Sequence, residues 1–121
     1  MIESSLDDLG IVIFRCTGSV TLVDIVVAAN EVYAEEDPPS RALWDTREVR
    51  FAWSLEDMTS DHYYRDWAGR ANKYRSEDRI AIVVSSSIHR VITELSRDIL
   101  GFEFPFEVFD NYDVAYGWLN A

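Results

Sequence analysis

The sequence predicts an α/β fold, in which helices pack against a mostly parallel sheet of four or five strands. The stretch Arg79–Val84 is a short apolar run rich in β-branched residues, typical of a strand buried on both faces. An amphipathic helical pattern follows it at once and ends at Gly101, a residue well suited to the C′ position of a helix. A strand that leads directly into a helix is the repeating unit of a parallel sheet.

The start of the chain predicts a β-hairpin followed by a helix. Residues 2–5 form the first strand of the hairpin and residues 11–16 the second, and the polar stretch 17–19 is expected to end that second strand. From Thr21 to about Glu36 the apolar residues recur at helical spacing. Thr21 is the expected N-cap of this helix.

The middle of the chain predicts a strand and a second helix. Residues 41–46 form the strand, and residues 49–53 alternate too weakly to distinguish a strand from a loop. Either Ser54 or Ser60 caps a helix that extends to about Lys73. Acidic residues near its start and basic residues near its end complement the helix dipole.

The last third of the chain predicts a helix, an edge strand and a closing helix. One buried stripe is expected on the helix after the Arg79 strand, formed by Ile88, Val91, Ile92, Leu95 and Ile99. Residues 102–109 alternate aromatic and acidic side chains, as a half-buried edge strand does. Asp110 or Asn111 then caps a short helix, whose expected inward-facing residues are Val114, Ala115, Trp118 and Leu119.

Length and composition predict one domain over residues 1–121 and limit the partners that it can have. With 22 acidic against 11 basic residues, a net charge of −11 disfavours nucleic acids and anionic membrane surfaces. The chain has no apolar run of membrane-spanning length and no pattern of a secretory signal, so a cytoplasmic location is expected. Cys16 is the single cysteine and is expected to be a buried, unreactive thiol.

The order of predicted elements resembles that of the SpoIIAA-like proteins, which are bacterial relatives of the STAS domain and include anti-sigma factor antagonists. The resemblance covers nearly the whole chain, and the stretches that carry it are 11–17 with Gly18 and Thr21, 43–45, 79–84, and 108–110 with Ala115, Trp118 and Leu119. It implies a mostly parallel sheet covered by helices and no common catalytic reaction. It also makes a regulatory module that binds a protein partner the favoured function.

The resemblance also raises the question of a phosphorylated serine. Regulatory STAS proteins carry Asp-Ser-Ser-Gly or a close variant at the start of the second helix, where a kinase modifies the serine. Ser54 is the matching hydroxyl here, but the aspartate, the second serine and the glycine are missing. Because Glu56 and Asp57 would repel a phosphate, a simple N-cap role for Ser54 is favoured over a phosphosite.

A polar site is conceivable where the strands end, at Asp45, Arg47, Ser86 and Asp110. The carboxyl ends of parallel strands are where ligands collect, although capping of helices and turns explains the same residues more simply. His62 and His89 lack the spacing of a metal site, and a triad of Ser86, His89 and Asp110 has no supporting motif. The sequence therefore predicts no catalytic residue, no metal and no cofactor, and an enzyme is the least favoured class.

Aromatic side chains around the second helix are the strongest functional signal. Five large rings on and before this helix exceed what one buried stripe can hide: Trp53, Tyr63, Tyr64, Trp67 and Tyr74. Four of them, Trp53, Tyr63, Tyr64 and Trp67, are the candidate contact residues. They are predicted to contact either a protein partner, including a second copy in a homodimer, or a small apolar ligand held under the same helix.

Overall fold

The computed structural model describes residues 1–59 and 62–121, and within them five strands form one sheet whose order follows the sequence. The strands are β1 (Ile2–Leu6), β2 (Ile11–Val20), β3 (Arg41–Phe51), β4 (Arg79–Val83) and β5 (Phe106–Phe109). β1 pairs with β2 antiparallel, and the three other pairs are parallel. The predicted fold class and the opening hairpin are confirmed.

The helices cover both faces of this sheet. They are α1 (Leu22–Tyr33), α2 (Leu55–Thr59), α3 (Tyr63–Tyr74), α4 (Ser87–Leu100) and α5 (Tyr112–Leu119). Because connections between parallel strands are right-handed and the strand order is sequential, α1, α3 and α4 lie on the same face. The opposite face packs against α5, where Leu43 and Ala81 meet Ala115 and Leu119.

The centre of the sheet is tightly packed. Phe14 of β2 and Trp44 of β3 are register partners, and their rings stack at 3.8 Å between centroids. Phe14 is fully buried and Trp44 is 5% exposed. Side chains along β3 alternate between the two faces of the sheet. Leu43 therefore points to α5, while Trp44 points to the side of α1, α3 and α4.

The predicted end of the second strand at residues 17–19 is wrong. β2 continues to Val20, and after a register shift its pairing with β3 resumes at Thr17 and Glu48. Gly18 takes a φ of +73°, which a residue with a side chain adopts only with strain. The extra residue of this bulge lies on β3, between Asp45 and Glu48, and β2 stays paired through its polar stretch.

Three other boundaries differ from the prediction. β3 is one long strand that ends at Phe51, and α1 ends at Tyr33 rather than near Glu36. The predicted second helix is divided into α2 and α3. Ser54 caps α2, whereas the alternative cap Ser60 lies outside the described residues.

The predicted buried stripe of α4 is wrong at three of its five positions, while Ile92 and Ile99 are half-buried. Ile88, Val91 and Leu95 are 70%, 56% and 45% exposed, and the buried residues of this helix are Thr93, Ser96 and Leu100. Helical periodicity finds an apolar face but does not show which face meets the sheet. In α5, Ala115 and Leu119 are buried as predicted, but Val114 is 58% exposed.

Two leucines of α4 provide a matched test of this orientation. Leu100→Ala is expected to lower the free energy of unfolding by about 2–3 kcal/mol, because the side chain is only 7% exposed. Leu95→Ala is expected to change it by less than about 1 kcal/mol. Urea unfolding of both variants, at a concentration where the protein is monomeric, measures the difference, and equal losses would contradict the orientation.

Candidate functional site

A cavity of about 650 Å³ lies between the sheet and the helices α1, α3 and α4. Strands β3, β4 and β5 form its floor, through Trp44, Ile82 and Phe106 among others. Aromatic side chains make up much of the rest of the wall: Tyr33, Phe51, Trp53, Tyr64, Trp67, Phe102 and Phe104. The volume and the apolar wall are typical of a small-molecule site.

The mouth of the cavity lies between α1 and α3. Among the described lining residues, those that are exposed are Asn30, Arg70 and Tyr74. Beside them the indole Nε1–H of Trp67 donates a hydrogen bond of 3.1 Å to the carboxamide oxygen of Asn30. This bond connects α3 to α1 at the entrance.

Three hydroxyl groups lie deep in the wall, and two of them are hydrogen bonded. Thr46 donates to the carbonyl of Val83 at 2.7 Å. Ser96 donates to the carbonyl of Ile92 at 2.7 Å and accepts from the indole of Trp53 at 3.4 Å. Within the described part of the chain, the buried Oγ1 of Thr93 has no partner. It is therefore a polar atom available to the contents of the cavity.

Arg75 and Tyr33 lie together in the wall, and neither brings an unpaired charge to it. The guanidinium of Arg75 lies 3.7 Å over the ring of Tyr33, pairs with the carboxylate of Asp78 and donates to the carbonyl of Pro39 at 2.7 Å. Burial raises the pKa of Tyr33 to about 12, so the phenol is uncharged at neutral pH. The guanidinium of Arg75 is thus bonded to groups of the protein itself.

The structure brings three of the four predicted aromatic contact residues into this wall. Trp53, Tyr64 and Trp67 line the cavity, whereas Tyr63 lies outside the wall and is 46% exposed. Sequence reasoning missed the floor residues and the loop aromatics Phe102 and Phe104. Their signal was present in the alternation of residues 102–109, but that pattern predicted an edge strand, whereas β5 begins only at Phe106.

Two solved structures share this architecture, although no protein-family model and no curated protein matches the sequence. An uncharacterized protein of the DUF3478 family from Shewanella loihica PV-4, with a SpoIIAA-like fold, is 21% identical with a TM-score of 0.60, over 98% of this chain and 92% of that one. The anti-sigma factor antagonist SpoIIAA in its unphosphorylated form is 10% identical with a TM-score of 0.59, over 100% and 99%. This chain has the SpoIIAA-like fold. At these identities the likeness establishes architecture alone.

In this SpoIIAA-like fold, Ser54 occupies the N-cap of α2. Its hydroxyl accepts from the backbone N–H of Asp57 at 3.2 Å, and the Asp57 carboxylate accepts from the N–H of Ser54 at 2.7 Å. The favoured cap role of Ser54 thus has a structural basis. A phosphate on this hydroxyl would lie against the Asp57 carboxylate, and modification of Ser54 stays a prediction.

The predicted polar group at the strand ends is only partly assembled. Arg47 binds Asp45 through two hydrogen bonds of 2.9 and 2.8 Å, which hold the pKa of Asp45 below its usual range. Arg47 and Asp110 line one small polar depression. Ser86 does not line that depression. Its hydroxyl instead caps α4 by accepting from the N–H of His89 at 3.2 Å.

The structure does not assemble the triad for which the sequence lacked a motif. His89 Nδ1 lies 3.3 Å from the hydroxyl of Ser85, and its ring packs on Phe51, so Ser86 and Asp110 do not orient it. Among the described residues no group of His, Cys, Asp and Glu is placed to hold a metal ion. Likewise, none of the described helices has the length and apolarity needed to cross a membrane.

Cys16 of β2 is buried in the hydrophobic core, as predicted. Its side chain is 2% exposed. Burial, with the nearby Asp45 carboxylate, raises the pKa of the Cys16 thiol to about 12. The thiol is therefore protonated at neutral pH and a poor nucleophile.

The two buried hydroxyls of α4 predict opposite stability effects. Thr93→Val is expected to leave the free energy of unfolding unchanged or to raise it by up to about 1 kcal/mol, because an unpartnered hydroxyl leaves the interior. Ser96→Ala is expected to lower it by about 1 kcal/mol, since the Trp53 indole loses its acceptor. Urea unfolding of the ligand-free protein compares them, and a larger loss for Thr93→Val would contradict the assignment.

Proposed function

We propose that this protein binds a small apolar ligand in the cavity under α1, α3 and α4 and carries out no catalytic step. The observation that carries the proposal is the cavity itself, a partly open space of about 650 Å³ lined mainly by aromatic and aliphatic side chains. Protein interiors normally pack with few voids larger than a water molecule. Water fills a polar cavity well but an apolar one poorly, so an apolar ligand is the occupant that best stabilises this space.

The predicted contact residues take their roles from this geometry. Trp53, Tyr64 and Trp67 contact the ligand through their rings, and the Trp67–Asn30 hydrogen bond holds the entrance in place. Aromatic walls offer large, rigid apolar surfaces at a low cost in conformational entropy. Tyr63, outside the wall, is not part of this site.

Binding can be followed without a label, because Trp44, Trp53 and Trp67 line the cavity while Trp118 packs on the opposite face. We expect dodecan-1-ol to change the tryptophan fluorescence saturably, and native mass spectrometry of gently purified protein to show a retained ligand mass. Ala71→Phe, which fills the cavity from α3, is expected to weaken dodecan-1-ol at least about tenfold. Ala34→Phe, at the exposed end of α1, is the matched control and is expected to bind normally.

The outcome against this proposal is equally specific. A clean protein mass, together with no saturable response to dodecan-1-ol in folded protein, would overturn it. Equal binding by wild type and Ala71→Phe would place the ligand elsewhere.

A second candidate function is that of a cytoplasmic, regulatory module that binds protein. The likeness in fold to an anti-sigma factor antagonist supports it. So does the exposed stripe of α4, where Ile88, Val91 and Leu95 follow the i, i+3, i+7 spacing of a helix–helix seam. Such a stripe can pair with itself about a twofold axis, so a second copy of the chain is the proposed occupant.

This second candidate predicts a concentration-dependent homodimer. Sedimentation velocity is expected to show dimers for the wild type and monomers for a variant with Val91→Asp and Leu95→Asp, because charged side chains would be buried in the seam. Val23→Asp, an exposed apolar position on α1, is the control. A wild type that stays monomeric at high concentration would contradict the proposed pairing.

A further inference from the structure

The charged side chains that line the cavity are opposite in sign to the net charge of the chain. The sequence holds 22 acidic and 11 basic residues. Among the described residues that line the cavity, however, none is Asp or Glu, and the charged ones are Arg70, Arg75 and Arg97.

One of these three arginines, Arg70, has no bonded partner among the described residues. Arg75 is held by Asp78 and by the carbonyl of Pro39, and Arg97 donates to Asp98 and to the carbonyl of Phe106, both at 3.1 Å. Within residues 1–59 and 62–121, the guanidinium of Arg70 has no hydrogen bond or ion pair, although Asp66 lies one turn earlier on α3. Its full set of donors is available to a ligand.

Arg70 also stands at the position where a head group would lie. It is exposed at the mouth of the cavity with Asn30 and Tyr74, while most of the wall beyond it is apolar. The carboxamide oxygen of Asn30 accepts from Trp67, which leaves the amide N–H groups of Asn30 as further donors at the entrance. The site therefore has a polar, cationic entrance and an aromatic interior.

We propose that the ligand is a single-chain amphiphile with an anionic head group, which Arg70 binds at the mouth while the hydrocarbon chain fills the cavity. The inference rests on the proposed apolar site and adds the charge of the ligand. A guanidinium forms two parallel hydrogen bonds with a carboxylate, and at an exposed mouth this pairing adds a modest affinity for an anionic over a neutral head group. The net charge of −11 opposes such a ligand only weakly, because salt screens charges beyond about 8 Å at physiological ionic strength.

The test compares three probes with the same chain length, each below its micelle concentration: dodecanoate, dodecan-1-ol and dodecyltrimethylammonium. Fluorescence titration of the wild type is expected to give a dissociation constant for dodecanoate about five- to tenfold below that for dodecan-1-ol, and the weakest binding for the cation. Arg70→Gln is expected to remove this preference, so that dodecanoate and dodecan-1-ol bind with similar affinities. Arg70→Lys is expected to restore part of it.

Arg65→Gln is the control, since Arg65 is an exposed arginine of the same helix that does not line the cavity. Equal affinities of the wild type for dodecanoate and dodecan-1-ol would overturn the inference and leave the apolar site intact. The same holds if Arg70→Gln and Arg65→Gln behave alike, or if the cation binds most tightly. Failure of all three probes to bind folded protein would instead overturn the proposed function, and the inference with it.

Discussion

The sequential strand order is the constraint on which the rest of this structure depends. Because every parallel connection is right-handed, β2, β3, β4 and β5 can follow one another only if α1, α3 and α4 share one face of the sheet. On the other face, small residues such as Ala81 and Ala115 let α5 approach closely. On the three-helix face, large rings project from both sheet and helices. They leave a cavity of about 650 Å³ rather than a close-packed layer.

Much of the fold was predictable because it depends on local chemistry. The apolar run at Arg79–Val83, the Thr21 cap and the left-handed Gly101 each depend on a few neighbouring residues. The errors came from nonlocal contacts. The pairing of residues 17–19 with β3 keeps β2 extended. On α4, Thr93, Ser96 and Leu100 face the cavity, whereas Val91 and Leu95 face solvent. Hydrophobicity along the helix therefore did not identify its buried face.

The candidate site was predictable only in outline. An excess of rings around the second helix predicted a binding surface, and Trp53, Tyr64 and Trp67 do lie in one wall. That the surface is concave depends on Trp44 and Phe106, which come from strands far apart in sequence. The two proposed functions use opposite faces of α4, with Thr93 toward the cavity and Leu95 toward solvent. Variants of one face can therefore leave the other intact, and the two functions can be tested separately.

The most direct test of the central claim is a map of where an apolar ligand lies. In a ¹H–¹⁵N NMR titration with dodecan-1-ol, we expect shifts confined to amides of the cavity wall, including those of Ala29, Trp67 and Thr93. The three indole N–H signals of the wall should move, while those of Trp118 and of α5 stay in place. Shifts centred on α5, or scattered over the surface without saturation, would show that the cavity is not the site of the apolar ligand.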